Sequence, residues 1–333
     1  MKTYKENNNT IFTFFKLSFL GKIKILLRVI GLKKIINFIL YPLLAFFFRS
    51  KIFFIREIVF NALENFNEKI YFTNKYNEKF LLFTKDKVIS KETFVSGEFD
   101  LIKLKRTLDF LNKKKNIINL YDIGANIGTI CIPAVKRNYI KNAFAVEPEI
   151  KNFEMLKFNI ILNNLEDKIK TFNYALSSTD QQNLKMEISN DNFGDHRIRL
   201  QEISDNLYSE KDRELLEVKS TTFDKLFKNI DGDKDLVWID TQGFEPLILE
   251  GALNLINSKA PLVIEFWPYA LKRNNLWNLM ENIIKKYDYF IDLSNEQMIP
   301  EDLKVNLNKL FTGWDEEKPN KPALFTDLLL LKS

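Results

Sequence analysis

Residues 117–128, IINLYDIGANIG, leave this chain few architectures to choose from. An apolar run (Ile117, Ile118, Leu120, Tyr121) is too short for a helix and ends on Asp122. It breaks into a turn bearing Gly124 and Gly128 before an apolar helical pattern begins. A buried parallel strand passes into a helix beneath a nucleotide-like ligand in this way. Glycine there lets the backbone turn sharply and lets a ligand approach without a Cβ in its path. Downstream, the run Ala143–Val146 closes on Glu147 and Pro148. A second strand ending in an acid, about two dozen residues after the first glycine, presents a carboxylate to both hydroxyls of a ribose. Glu147 before Pro148 equally suits a helix entry. Together the two stretches imply a cofactor containing adenosine.

Glycine spacing narrows the cofactor. A dinucleotide fingerprint requires G-x-G-x-x-G, but Asn126 occupies its second glycine position and Thr129 its third. A pyrophosphate needs that close approach to a helix N-terminus. S-adenosylmethionine carries no phosphate, so a D-x-G-x-N-x-G turn suffices, with Asp122 to face a cationic group. Four stretches extend the pattern: YDIGANIG at 121–128, AVEPE at 145–149, NYALSS at 173–178, and WIDTQGFEPLILEGA at 238–252 followed by PLVIEFWP at 261–268. In this order they resemble the class I S-adenosylmethionine-dependent methyltransferases and, more narrowly, the FkbM family, over about residues 90–270. The resemblance implies an α/β, Rossmann-like fold with a mostly parallel seven-stranded sheet and helices on both faces. It implies S-adenosylmethionine as cofactor, held by Asp122, Gly124, Asn126, Gly128 and Glu147, with Tyr174 and Ala175 near the adenine. It also implies methylation of a hydroxyl on a sugar, glycan or secondary metabolite. Many FkbM-like chains have an acid where this one has Gln242.

Composition bounds the alternatives. The 333 residues suffice for one large domain with an appendage. Cys131 is the single cysteine and His196 the single histidine, which exclude an intrachain disulfide and cysteine- or histidine-rich metal sites. No metal is expected, and a reducing, cytoplasmic compartment follows. Residues 1–60 carry 11 Lys+Arg against 2 Asp+Glu, while the remaining 273 carry 38 against 42. The basic character therefore lies in the N-terminal segment, and no nucleic-acid-binding face is expected on the core.

That segment is basic and apolar. Phe12, Phe15, Phe19, Ile23, Leu26, Leu27 and Ile30 fall at helical spacing with lysines between them. The run Ile35–Phe48 follows, shorter than the roughly 20 residues of a membrane span. A basic amphipathic helix can lie in a membrane interface. Peripheral contact with the inner face of the membrane is thus expected, a helical hairpin packed on the core or on a second subunit being the alternative. Oligomeric state is not encoded legibly.

The expected domains are 1–60, a helical anchor; 61–116, a β hairpin and helix; and 117–333, the methyltransferase domain. KIYFT and KFLLFT suit the hairpin, and within 94–111 the apolar Leu101, Leu104, Leu108 and Phe110–Leu111 make an amphipathic helix started by Gly97, Glu98 and Phe99. The helix over Ile150–Asn163 should bury Phe153, Leu156, Ile160 and Ile161, the charged stretch 201–217 should be a surface helix, and 271–285 another helix.

Methyl transfer to a hydroxyl needs an in-line geometry and a base for the departing proton. Asp240 ends a strand beside the switch point of the sheet, where ligands bind, as a cofactor or acceptor contact. Glu245 could orient the acceptor, although an acid in a helix's first turn is also an ordinary dipole partner. Glu265 has similar standing. His196, in a polar loop, could be the general base because an unperturbed imidazole titrates near neutrality. A nicotinamide-dependent sugar oxidoreductase or epimerase, and a non-catalytic binding module on the same fold, are the competing readings.

Overall fold

The computed structural model describes residues 52–201, 207–312, 314 and 324–333. Contacts divide the chain into a unit ending at Leu63 and a unit spanning Glu64–Ser333. The described part of the first unit contains the helix Phe53–Leu63. The amphipathic pattern at 12–30 and the run 35–48 lie outside the described residues.

In the larger unit, β1 (Lys69–Thr73) and β2 (Lys79–Phe83) form an antiparallel hairpin. Two asparagines of the helix Ile150–Leu162 serve the free edge of β2. Asn159 Oδ1 accepts from Leu81 N–H at 2.7 Å and Asn163 Oδ1 from Lys79 N–H at 3.0 Å. The expected buried stripe holds at Leu156 and Ile160, but Asn152 and Asn159 are buried beside them while Ile161 is 51% exposed. An unpaired strand edge needs hydrogen-bonding partners, and side-chain amides meet that need where isoleucine cannot.

The expected amphipathic helix runs Leu101–Leu111, with a separate helix, Ile89–Ser96, ahead of it. Gly97 ends the earlier helix instead of opening the second. Its φ of 90° is the left-handed conformation that closes helices, and its N–H donates to Thr93 O. Asp100, at φ 50°, turns the chain into the second helix.

The remaining strands are β3 (Asn119–Ile123), β4 (Asn142–Val146), β5 (Ile169–Phe172), β6 (Ala175–Leu176), β7 (Asn183–Ile188), β8 (Arg197–Ile198), β9 (Glu214–Thr221), β10 (Asp235–Ile239), β11 (Leu262–Phe266), β12 (Tyr289–Asp292), β13 (Glu301–Asp302) and β14 (Thr326–Leu331). Eight form one sheet in the order β13-β12-β14-β11-β10-β3-β4-β5. The run from β11 to β5 is parallel, and β14 inserts antiparallel between β11 and β12. Seven of these strands make the α/β sheet expected of the class; the two-residue β13 adds an eighth at the edge. β10 and β11 are buried along their whole length, as continuous apolar strands covered on both faces should be. Chain order reverses between β3 and β10, which opens a crevice above their C-terminal ends.

A second, four-stranded sheet, β6-β9-β7-β8, is inserted after β5. It overturns the helix expected over 201–217: past a short turn at Glu210–Asp212, β9 starts at Glu214 and pairs antiparallel with β7. Charge alternation along ELLEVKST suits a half-exposed strand as well as a helix, and the ladder with β7 decides. The helix expected over 271–285 is likewise broken, into Pro268–Arg273 and Trp277–Ile284, by Asn275 at φ 56°. Beneath the crevice Tyr121 stacks on Phe144 with centroids 4.7 Å apart, and Phe227 meets Tyr121 edge-on. The floor is rigid.

Candidate active site

The glycine turn is built on the end of β4. Gly124 and Ala125 both donate backbone N–H to Val146 O, at 2.9 and 3.0 Å. Asn126 follows in the left-handed region at φ 49°, which short polar side chains tolerate. Its N–H donates to Glu147 Oε2 at 2.9 Å, and Glu149 N–H donates to Glu147 Oε1 at 2.9 Å. Two backbone donors thus fix a carboxylate only 5% exposed. Burial pushes Glu147 up to about 8 despite those bonds.

A cleft opens over this turn. Gly124, Asn126, Glu147, Asn152, Tyr174, Ala175 and Asp240 are in its wall, with apolar Ile123, Val146, Leu176 and Ile248. One side is closed by residues 193–196. Phe193 O accepts from Asn126 Nδ2 at 2.7 Å and from Asn152 Nδ2 at 3.1 Å. Asn152 Oδ1, also buried, has no hydrogen-bond partner. A buried acceptor without a donor is costly, and the residue that carries it lines the cleft beside a carboxylate that can accept further bonds. Ribose hydroxyls or an adenine amine are donors of the right kind, so the walls fit an adenosine-bearing cofactor.

A second cleft adjoins the first, lined by Val88, Phe99, Asp100, Asp195, Arg197, Tyr208, Asp240, Gln242, Glu265 and Trp267 among others. Asp240 and Gln242 belong to both clefts. Gln242 Nε2 donates to Asp240 Oδ1 at 2.8 Å and to Glu265 Oε1 and Oε2 at 3.2 and 3.1 Å. Burial, then the charge of Asp327, raises Asp240 to about 8; burial, then Asp240 itself, holds Glu265 well above the usual carboxylate range. Arg197, 2% exposed, bonds Asp195 at 2.5 Å and Glu210 at 3.0 Å, with its guanidinium 4.4 Å from the Trp267 ring centroid.

The family model of the methyltransferase FkbM domain matches residues 122–291, half of the chain, and so takes in the glycine turn, Glu147, most of the lining of both clefts and the turn after β10. The chain belongs to the FkbM methyltransferase family. It is a methyltransferase, and its cofactor is S-adenosylmethionine. Among solved structures, the FkbM methyltransferase of Methylobacillus flagellatus KT is 14% identical with a TM-score of 0.38, over 83% of this chain and 59% of that one. TYW2 of P. horikoshii, crystallised with MeSAdo, is 14% identical with a TM-score of 0.37, over 80% and 72%. TYW2 of M. jannaschii, crystallised with AdoMet, is 11% identical with a TM-score of 0.37, over 80% and 85%. No curated protein matches the sequence. Family membership sets aside the nicotinamide alternative.

Within this FkbM site, the residues singled out in the sequence divide into two groups. Gly124, Asn126, Glu147, Tyr174, Ala175, His196 and Asp240 come together around the first cleft. Asp122, Gly128 and Glu245 do not line either cleft. Strand alternation explains Asp122: Tyr121 and Ile123 join the core cluster, so Asp122 faces the other way. It is 3% exposed, its Oδ2 has no partner, and burial raises it to about 6. Gly128 fits against the core, where a Cβ would lie 2.6 Å from Ile132 Cδ1 and 2.8 Å from Leu156 Cδ1. Gly124 is needed by the backbone itself: a Cβ would lie 2.0 Å from Asp240 O.

Two catalytic expectations are corrected by the hydrogen bonds. Glu245 Oε1 accepts from Thr241 N–H and Thr241 Oγ1 at 2.8 and 2.9 Å and from Gly243 N–H at 3.3 Å. It therefore ties down the turn ahead of its own helix and does not reach an acceptor. His196 Nδ1 accepts from Ser189 N–H at 3.1 Å, so the neutral ring carries its proton on Nε2. Burial lowers its pKa to about 4. A neutral imidazole bonded this way offers no free lone pair, which removes it as general base. The sequence reading missed Asn152, Arg197 and the second cleft's Trp267. Only Trp267 had a signal, the EFWP end of β11.

Proposed function

We propose that this enzyme methylates a hydroxyl oxygen of a sugar-like acceptor bound in the second cleft, with Asp240 as general base. The observation that carries this reading is the position of Asp240, the one acid in the walls of both clefts. A group that takes a hydroxyl proton during methyl transfer has to stand at that junction.

S-adenosylmethionine supplies the methyl group on a sulfonium. Glu147 accepts from the ribose hydroxyls, Asn152 Oδ1 takes a further donor, and the apolar walls exclude water from the adenosine. Tyr174 and Ala175 flank the adenine. In the second cleft, Asp240 receives the acceptor's proton as its oxygen bonds to carbon. The edge of Trp267 and the carboxylates of Asp100 and Glu265 give the apolar-plus-acceptor lining that a polyhydroxylated ring needs. Four acids against one fully paired arginine (Asp100, Asp195, Asp240 and Glu265 against Arg197) disfavour phosphate-rich nucleic acid as acceptor.

The basic, apolar residues 1–60 favour a lipid-linked acceptor presented at a membrane surface. Among the described residues no helix is long and apolar enough to cross a membrane. Flotation of the full chain with anionic against neutral vesicles tests peripheral contact: equal recovery with both would remove it.

The enzymatic reading is tested by calorimetric titration of S-adenosylmethionine, followed by labelled-methyl transfer to a panel of neutral, amino and acidic glycans. Transfer lost in Asp240→Asn, with cofactor binding kept, supports the reading. Wild-type transfer by that variant would overturn the assignment of the base.

A further inference from the structure

Asp240 and Glu265 stand side by side at the ends of neighbouring strands. The β10–β11 register pairs Ile239 with Ile264, and Asp240 and Glu265 are the next residues along. Both line the second cleft, but of the two only Asp240 lines the first. Every cation recorded nearby already has its own acid. Lys103 bonds Asp327 at 2.7 Å and Asp100 at 2.9 Å. Arg197 bonds Asp195 and Glu210, and Arg213 bonds Asp195 at 2.5 Å. From the strand on the other side, Asp327 pairs in register with Glu265. Glu245, in the helix that follows the turn, accepts from Thr241 and Gly243 through Oε1, while its Oε2 is buried without a partner and its charge adds to the repulsion on both acids. Among the described residues no ion pair to Lys, Arg or His is recorded for Asp240 or Glu265. Two adjacent buried carboxylates without a counter-ion cannot both ionise cheaply.

Gln242 bridges them. Its amide nitrogen has two hydrogens, one directed to Asp240 Oδ1 at 2.8 Å and one shared by the two oxygens of Glu265 at 3.2 and 3.1 Å. The residue is held at φ 58°, a conformation that a turn alone would give to glycine. Gly243 beyond it, at φ 91°, would place a Cβ 2.3 Å from Ala270 Cβ, so the turn has no room to shift. A strained, non-glycine residue carrying two donors to two acids points to function.

We infer that Gln242 is a positioning residue that holds Asp240 and Glu265 as a pair with a single proton, Glu265 the protonated member and Asp240 the member that receives the acceptor's proton. This rests on Asp240 being the base. As the acceptor oxygen bonds to the methyl carbon, the sulfur–carbon bond breaks and its electron pair stays on sulfur. The hydroxyl proton passes to Asp240 and from there to solvent, and Glu265 keeps its own proton throughout.

The test is a carboxyl-carbon NMR titration of the full chain loaded with S-adenosylhomocysteine, with the Asp240 signal assigned by its loss in Asp240→Asn. Gln242→Leu removes both donors and is expected to raise the Asp240 midpoint by about one pH unit or more. Gln242→Glu keeps the shape, adds a third acid and is expected to raise it as well. Glu265→Gln, which mimics the protonated acid, is expected to move it by less than about half a unit. A midpoint unmoved in both Gln242 variants would overturn the inference. So would a drop of a unit or more in Glu265→Gln, because Glu265 would then have been the ionised member. The titration needs no acceptor, so it stands apart from turnover: normal transfer by Asp240→Asn removes the base, and an unmoved titration removes the bridge.

Discussion

The two halves of the crevice solve one problem with different parts. Each has a strand, β3 or β10, that runs into a turn with residues at positive φ: Gly124, Asn126 and Gly128 in one, Gln242 and Gly243 in the other. Each turn presents a buried carboxylate to a cleft. On the cofactor side, Glu147 is fixed by the backbone N–H groups of Asn126 and Glu149. On the side proposed for the acceptor, Asp240 and Glu265 are bridged by one side chain, Gln242. Backbone donors survive substitution of the residue that bears them, whereas a side-chain donor is replaced by a single mutation. The cofactor half is therefore built for constancy, and the acceptor half can be retuned.

Asp240→Asn should break the comparison most severely. Loss of a general base is expected to lower kcat by about 10²–10⁴-fold, with cofactor affinity within a few-fold of the wild type by calorimetry. Glu147→Ala should do the opposite. It removes charge-assisted bonds worth roughly 1.5–3 kcal/mol, so S-adenosylmethionine affinity should fall about tenfold to a hundredfold. If both variants lose affinity equally, the two halves are not separable.

Glycine substitutions sharpen the same contrast. Gly124→Ala sets a Cβ 2.0 Å from the Asp240 carbonyl at φ 90°, backbone against backbone. Gly128→Ala meets only the ends of Ile132 and Leu156, at φ 89°. Both carry the left-handed cost of about 1–2 kcal/mol, and only Gly124→Ala adds a contact that no rotamer relieves. Its loss of stability should exceed that of Gly128→Ala by about 1–3 kcal/mol in denaturant titration. Equal losses would show that the Gly124–Asp240 contact is relaxed in solution.

The buried acids also set a pH dependence. Glu147 and Asp240 are raised to about 8, Glu245 to about 7 and Asp122 to about 6. Between about pH 4 and 8 the unfolded chain releases protons that the folded chain keeps, so cofactor-free stability falls as pH rises through that window. It should level off above about 8, as read by melting temperature against pH. A rise over the same window would mean that these acids ionise with partners. The smallest effect is expected of His196→Ala, less than about tenfold in kcat, since its Nδ1 already serves Ser189; a larger loss with a shifted pH–rate profile would restore it as a proton-transfer group.

How much was legible in the sequence follows the same division. Strand–turn–helix signals are local, so IINLYDIGANIG and AVEPE announced β3, β4, the glycine turn and Glu147 without tertiary information. Asp240 was legible from its place at the end of an apolar strand. Asn152 and Asn159 were missed because hydrophobic periodicity counts asparagine as solvent-facing, while here the helix serves the edge of β2 and the wall of a cleft. The strand β9 was missed because charged alternation over a few residues is ambiguous until a partner strand is present.

The sequence by itself determined the class of fold and the kind of cofactor, because both are carried by short motifs whose residues lie close together in the chain. Tertiary structure alone decided that Asp122 turns away from the cleft, that Glu245 caps its own turn, that His196 is bonded out of basicity, and that Gln242 stands between two acids. Those outcomes depend on which groups from distant strands share a dry space, and burial and hydrogen bonding there reset both the proton's position and the side chain's use.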